Sequence, residues 1–267
     1  MRKGISHVLT GLVYLILFAP MLVLLVFSFN DSKSLSVFTE PSFRWYQELF
    51  RDRSTLQTLK NTLILALDAT VISVIMGTAA AWGLARLRGR WFRSVLRGVT
   101  ELPMTSPDII TGISLMLMFV FVGNLFSQRN SLSFWTMLLA HVTFCLPYVI
   151  LQVLPKIQQM DPALPEAAMD LGCTAWGAFW RVELPEMAPG IVTGAIMAFT
   201  MSLDDFVISY FTSGTDFQTL PIRIYSMTKK TVTPKMYALA SIIFVVTLTL
   251  LLISNTVSGA EKGKKQR

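Results

Sequence analysis

The chain has 267 residues, of which 53% are hydrophobic and 15% charged, and it carries a net charge of +7. Soluble domains average roughly a quarter charged residues, so this deficit, with a mean hydropathy of +0.56, excludes an ordinary soluble enzyme and points to a membrane protein. The basic excess sits in short connections between apolar runs, which is a topology and anionic-lipid signal, and no nucleic-acid site is expected.

Apolar stretches near 8–29, 62–85, 101–123, 134–154, 190–212 and 236–257 each reach the roughly 20 residues that a hydrocarbon core of about 30 Å requires. Backbone groups cannot stay unpaired in lipid, so these six spans are predicted helices. The segments of about ten alternating residues that mark a β-barrel are missing from the sequence. Arg2 and Lys3 open the chain. The apolar run behind them exceeds a signal-peptide core and has no small-x-small site close after it, so it is expected to be an uncleaved first helix. The 30–61 segment balances most of its basic residues with Asp31, Glu40, Glu48 and Asp52.

Along the second span, Gly77, Ala79, Ala80, Ala81 and Gly83 favour close helix packing, read as internal packing rather than a dimer motif. Arg86, Arg88, Arg90, Arg93 and Arg97 follow it. The third span is expected to bend at Pro107 and the fourth to be disturbed at Pro147. The tail adds Lys262, Lys264, Lys265 and Arg267. Six spans with these basic clusters place both termini and the 155–189 loop in the cytoplasm. Cys145 lies in a span and Cys173 in that loop, so no disulfide is expected between them. His7 and His141 stand isolated in the sequence, and neither a metal-ligand cluster nor a catalytic residue is expected.

The polar 155–189 loop has its own helix signals. Asp161-Pro162 supplies an N-cap carboxylate and a proline at the first helical position. Ala163 to Leu171 follow as about two and a half turns, with Gly172 where a left-handed residue ends a helix. Thr174 can cap a second short helix, and Pro185 is expected to keep that helix from running into the fifth span. Ala167 and Ala168 leave the backbone open to a partner's approach. Trp176, Phe179 and Trp180, spaced i, i+3 and i+4, form one aromatic face, suited either to a partner's groove or to a membrane-interface belt. Glu166 can pair with a basic partner group or stabilise its own helix N-terminus.

Asp68, Asp108, Asp204 and Asp205 fall inside the spans, where an aspartate costs roughly 2.5–3.5 kcal/mol at mid-helix. Such acids face a cavity or a partner rather than lipid. Asp204 and Asp205 lie about 21–23 Å along the fifth span and point about 100° apart, so one can line a path while the other pairs with a neighbouring helix. Asp108 is either a pathway or a capping residue, and Asp68 is expected to be structural or interfacial. Ser202, Tyr210 and Tyr225 are weaker pathway candidates, the tyrosines through cation–π contact.

The run Glu166-Ala167-Ala168-x3-Gly172-x9-Val182-x-Leu184-Pro185 resembles the cytoplasmic docking loop of ABC-importer permeases, with Val182 in place of the family's isoleucine. The resemblance implies an all-α membrane protein of the type I importer permease fold: a single domain over 1–267 with six transmembrane helices and two short cytoplasmic docking helices. It also implies that Glu166, Ala167, Ala168, Gly172, Leu184 and Pro185 dock a separate ATPase homodimer, whose ATP and Mg are not bound by this chain.

Further segments are Trp45-Tyr46, Ser106-Pro107-Asp108-Ile109, His141 to Pro147, Met201 to Asp205 and Leu220 to Met227. They are similar to the second membrane subunit of spermidine/putrescine importers over nearly the full length. That similarity implies a non-catalytic subunit of the bacterial inner membrane that imports polyamines, with a second related permease and an extracytoplasmic polyamine-binding protein. Embedded acids suit a polycation independently but do not separate it from a metal ion. Ferric ion or thiamine as cargo, a cation-coupled secondary transporter, and a membrane scaffold are the competing readings; the acids count against an oxyanion.

Overall fold

The computed structural model describes residues 2–32, 37–87, 89–126, 131–230 and 234–264, with no side-chain description at the chain ends. Arg88, Lys265 and Arg267, three of the topology-setting cations, lie outside these residues. Every regular element among the described residues is helical. The elements are α1 (Arg2–Phe27), α2 (Arg44–Arg51), α3 (Arg53–Arg86), α4 (Arg90–Thr105), α5 (Asp108–Leu125), α6 (Phe134–Gln159), α7 (Ala163–Asp170) and α8 (Ala175–Ala178). A π-turn (Phe179–Glu183) joins α8 to α9 (Leu184–Asp204), followed by α10 (Val207–Thr212), α11 (Leu220–Lys230) and α12 (Pro234–Lys264).

Five helices among the described residues are long and apolar enough to cross a membrane: Leu9–Phe27, Arg53–Arg86, Asp108–Leu125, Phe134–Gln159 and Ala175–Asp204. Five differs from the six expected. The sixth stretch falls on α12, a helix of 31 residues, whose apolar segment among the described residues is the shorter Pro234–Thr249.

Two compact units divide the chain. The first comprises Met1–Leu59 and Arg223–Leu248, the second Lys60–Ile222 and Thr249–Arg267. In the first unit the turn after α1 is built on Asn30, which is buried. Its Nδ2 donates to Val37 O at 2.7 Å, its Oδ1 accepts from Thr39 N at 2.9 Å, and its carbonyl accepts from Trp45 Nε1 at 2.6 Å. Asp52 then caps α3, accepting from Ser54 N at 3.0 Å and Thr55 Oγ1 at 2.9 Å, and pairs with Lys235 at 2.7 Å. The Lys235 hydrogen bond holds the Asp52 carboxyl down at about 2. A depressed acid stabilises the fold above its unfolded pKa of about 3.9 and loses that contribution as pH falls through the folded value. Asp52→Asn is therefore expected to flatten the loss of helical signal between about pH 4 and pH 2, followed by circular dichroism in detergent.

The core of the second unit lies where α6 and α9 run antiparallel at close range. Gly190, Gly194, Ala198 and Ser202 recur every four residues along α9. They meet Val153, Val149, Cys145 and His141 in turn: a Cβ at Gly190 would lie 3.2 Å from Val153 Cα, one at Gly194 would lie 3.3 Å from Val149 Cα, Cys145 Sγ donates to Ala198 O, and Ser202 meets His141. Small residues at this spacing let two backbones approach closely. From the expected stripe on α3, Gly77 belongs to the same packing, since a Cβ there would lie 2.7 Å from Val149 Cγ1. Gly83 faces open space and Ala79 is exposed.

Candidate docking loop and membrane pathway

The first docking helix forms as its residues dictate. Asp161 Oδ1 accepts from Ala163 N at 3.0 Å, and α7 then ends in a Schellman closure. Cys173 N donates to Ala168 O at 3.0 Å, Gly172 N donates to Met169 O at 2.9 Å, and Gly172 holds φ +91° as such a closure requires. Thr174 caps α8, its Oγ1 accepting from Gly177 N at 3.1 Å. Glu166 and Ala167 are exposed, but Ala168 is buried against the chain itself. Ala168 is thus a packing residue of the loop, and the surface open to a partner is carried by Glu166 and Ala167.

Pro185 does not stop the second helix. Ala175–Asp204 run as one helical stretch through the π-turn, where Leu184 N donates five residues back to Phe179 O. The widened turn immediately before the proline accommodates its ring, whose clash with the carbonyl four residues back would break a regular helix. Leu184 packs on the core while Pro185 is exposed.

The aromatic face also exists. Trp176 stacks on Phe179 with centroids 5.5 Å apart, and Trp180 packs edge-on against both. Trp176 and Trp180 are 68% and 52% exposed, so this face is free for a partner or an interface. Phe179 turns inward to Trp82 of α3 at 5.4 Å. Beside it stands Glu183, which the sequence reading passed over because it occupies the free position of Val182-x-Leu184. It is 2% exposed, accepts from Trp82 Nε1 at 2.6 Å and pairs with Arg86 at 2.5 Å, while Arg86 lies 3.8 Å over the Trp82 ring. No local signal marks it, because its partners Trp82 and Arg86 lie 101 and 97 residues away in sequence.

The embedded acids separate into two environments. The expected fifth span, 190–212, is interrupted: α9 ends at Asp204, Asp205 is extended (φ −63°, ψ 125°), and α10 starts at Val207. Asp205 turns inward and caps α10, Oδ2 accepting from Ser209 N at 2.7 Å and Oδ1 from Ile208 N at 3.3 Å. It also lies 3.5 Å from His141 Nε2. His141 is fully buried, with Ser202 Oγ 2.7 Å from Nδ1 and Ser209 Oγ 2.9 Å from Nε2. The carboxylate favours a proton on Nε2 and leaves Nδ1 to accept from the Ser202 hydroxyl. His141 is therefore not isolated; its partners lie more than sixty residues away in sequence. Asp204 points the other way and is exposed.

The third span is also divided, more sharply than a bend. α4 stops at Thr105, and Ser106 and Pro107 are extended before α5 begins at Asp108. Asp108 is exposed. One turn on, a Cβ at Gly112 would lie 3.5 Å from Val207 O and 3.0 Å from Phe211. The first turns of α5 and α10 therefore lie side by side, each following a chain break. The fourth span is not interrupted: α6 continues through Pro147 and Pro155, because its packing against α9 outweighs the ladder bond that each proline removes.

Ser202 is buried on His141 rather than open to a path. Tyr210 is 47% exposed. Tyr225, in the other unit, already holds Lys229 Nζ 4.7 Å over its ring. Asp68 is exposed on α3. Both cysteines are free thiols, and among the described residues no three His, Cys, Asp or Glu side chains converge as a metal site.

Residues 69–259 match the family described as Binding-protein-dependent transport system inner membrane component. The chain belongs to that family. It is 37% identical over 246 residues to the spermidine/putrescine transport system permease protein PotC of Haemophilus influenzae, covering 92% of this chain and 93% of that one. It is 40% identical over 231 residues to the putrescine transport system permease protein PotI of Escherichia coli, covering 85% and 81%. Among solved structures, a bacterial ABC transporter that imports the acidic polysaccharide alginate aligns at TM-score 0.72 and 19% identity over 97% of this chain and 96% of that one. That likeness shows the fold alone. The chain is accordingly a multi-span helical permease subunit of the ABC-importer class.

Proposed function

We propose that this permease subunit imports linear polyamines, putrescine or spermidine, through the bacterial inner membrane. The observation that carries the cargo is similarity over 85–92% of the chain to relatives named for those substrates. The exposed Asp204 at the α9–α10 break and Asp108 at the α4–α5 break supply chemistry that suits a polycation, because acids and broken backbone within a span are tolerated where they line a cavity or pathway. Asp204 is the primary pathway acid, with Asp108 and Tyr210 beside the route. Asp205 and Ser202 hold the break in shape, and Tyr225 is a secondary candidate.

The importer is assembled from this chain, a second related permease, an ATPase homodimer and an extracytoplasmic polyamine-binding protein. α12 is the sixth span and both termini face the cytoplasm. Glu166, Ala167 and the exposed tryptophans present the surface that meets the ATPase, while Ala168, Gly172, Leu184 and Pro185 shape it. ATP and Mg act on the partner. Family membership favours this reading over an ion-coupled secondary transporter or a scaffold, neither of which has a use for the loop. Gly172→Val forces a branched side chain into positive φ at about 1–2 kcal/mol. It is expected to weaken ATPase co-purification several-fold while the spans still insert; full retention would remove the docking assignment. The cargo is tested separately by uptake in a reconstituted system.

A further inference from the structure

The structure assigns Glu183 as a positioning residue that clamps the docking loop to the second span, so that movement of the loop is delivered to the helix core; this rests on the docking reading above. The position lies at x in Val182-x-Leu184-Pro185, which the docking pattern leaves unspecified, so nothing in that pattern assigns it a task. Yet its carboxylate is buried. Both oxygens are used, one by Trp82 Nε1 at 2.6 Å and the other by Arg86 Nη2 at 2.5 Å. The Arg86 guanidinium lies over the same indole at 3.8 Å, so a buried carboxylate is held by the indole and by a cation that is itself half exposed.

A second contact runs in parallel: Phe179 packs edge-on to Trp82 and stacks on the exposed Trp176. Trp176, Phe179, Trp82 and Glu183 thus form a continuous route from the outer face of the loop to the end of α3. The pair resists sliding because its carboxylate is 2% exposed: moving it off Arg86 strands that carboxylate away from water, although Arg86 itself stays partly solvated. The π-turn that contains Glu183 is the joint between the loop and α9, where an unclamped chain would flex. With the clamp closed, a push on the loop moves α3 with it; with it open, the loop tilts alone.

The test uses the complete transporter in proteoliposomes, with the binding protein and labelled putrescine outside and ATP inside. Uptake and ATP hydrolysis are measured together, and retention of the ATPase is read from a cross-link at Ala167→Cys. Glu183→Gln keeps the shape and an acceptor for Trp82 but loses the negative charge that faces Arg86. It is expected to keep the cross-link and hydrolysis while lowering uptake per ATP by roughly tenfold, within the range of coupling between distant sites. Glu183→Gln/Arg86→Gln should be no worse than Glu183→Gln, since both act through one pair.

A residue that only stabilises the fold would lower thermal stability, uptake and hydrolysis together and leave their ratio unchanged. That result, or an unchanged ratio with full activity, overturns the clamp while leaving the docking reading intact. A parent complex that carries Ala167→Cys alone with Glu183 intact, and that takes up no putrescine or forms no cross-link to the ATPase, overturns the functional reading itself and the clamp with it.

Discussion

Gly190→Leu is expected to break the packing of α6 on α9. A Cβ there would lie 2.8 Å from Gln152 O, 2.8 Å from Lys156 Cγ and 3.2 Å from Val153 Cα. Two of those three atoms are backbone, so rotamer changes cannot relieve the clash and α9 must move away from α6. The separation would loosen the packing at Gly194, Ala198 and Ser202, which follow at the same spacing. Overpacking in a close-packed core costs typically 1–3 kcal/mol and occasionally more, and a contact along a whole helix belongs at or above the top of that range. The expected readout is loss of monodisperse protein and a lower Tm in detergent. Gly83→Leu is the control, because nothing lies within 4 Å of its added Cβ. Equal damage at both positions would show that the outcome does not depend on the α6–α9 approach, since leucine is a better helix former than glycine.

Asp204 and Asp205 are adjacent in sequence but are expected to fail in different ways. Asp205→Ala removes the cap from Ser209 N and Ile208 N, a loss of about 1–2 kcal/mol. It also takes the carboxylate from buried His141, so it should lower thermal stability and the yield of assembled complex. Asp204→Asn alters an exposed side chain and should leave both unchanged. On the proposed role, Asp204→Asn lowers polyamine uptake by roughly tenfold or more, the effect of losing about 1.4 kcal/mol of favourable cation contact. Uptake by purified complex, normalised to assembled protein, separates the two. Normal transport by Asp204→Asn would leave the pathway without its acid.

The difference between these neighbours marks the limit of what the sequence discloses. Their 100° offset on an ideal helix shows that they diverge, but which one turns inward depends on the break after Asp204 and on His141, Ser202 and Ser209 arriving from other turns of the bundle. Local signals proved legible. Asp161, Gly172 and Thr174 each cap or close the docking helices as their chemistry requires, because a cap is decided by residues within four positions of it.

Prolines were less legible, since a proline removes one bond and the surroundings decide the rest. Pro107 accompanies a full break, Pro147 passes unnoticed inside α6, and Pro185 is absorbed by a π-turn. Ala168 and Glu183 show the same limit from the opposite side. Both lie within the loop's motif region, but their inward orientation comes from packing against the chain itself, which spacing alone does not encode.

Polyamine uptake by the reconstituted complex tests the central claim most directly. Labelled putrescine and spermidine are supplied outside proteoliposomes that contain this chain, its partner permease and the ATPase, with the binding protein added or omitted and ATP trapped inside or absent. The account predicts uptake that requires both ATP and the binding protein. An assembled complex that hydrolyses ATP but moves neither polyamine, or uptake that ignores ATP and follows an imposed ion gradient, would contradict it.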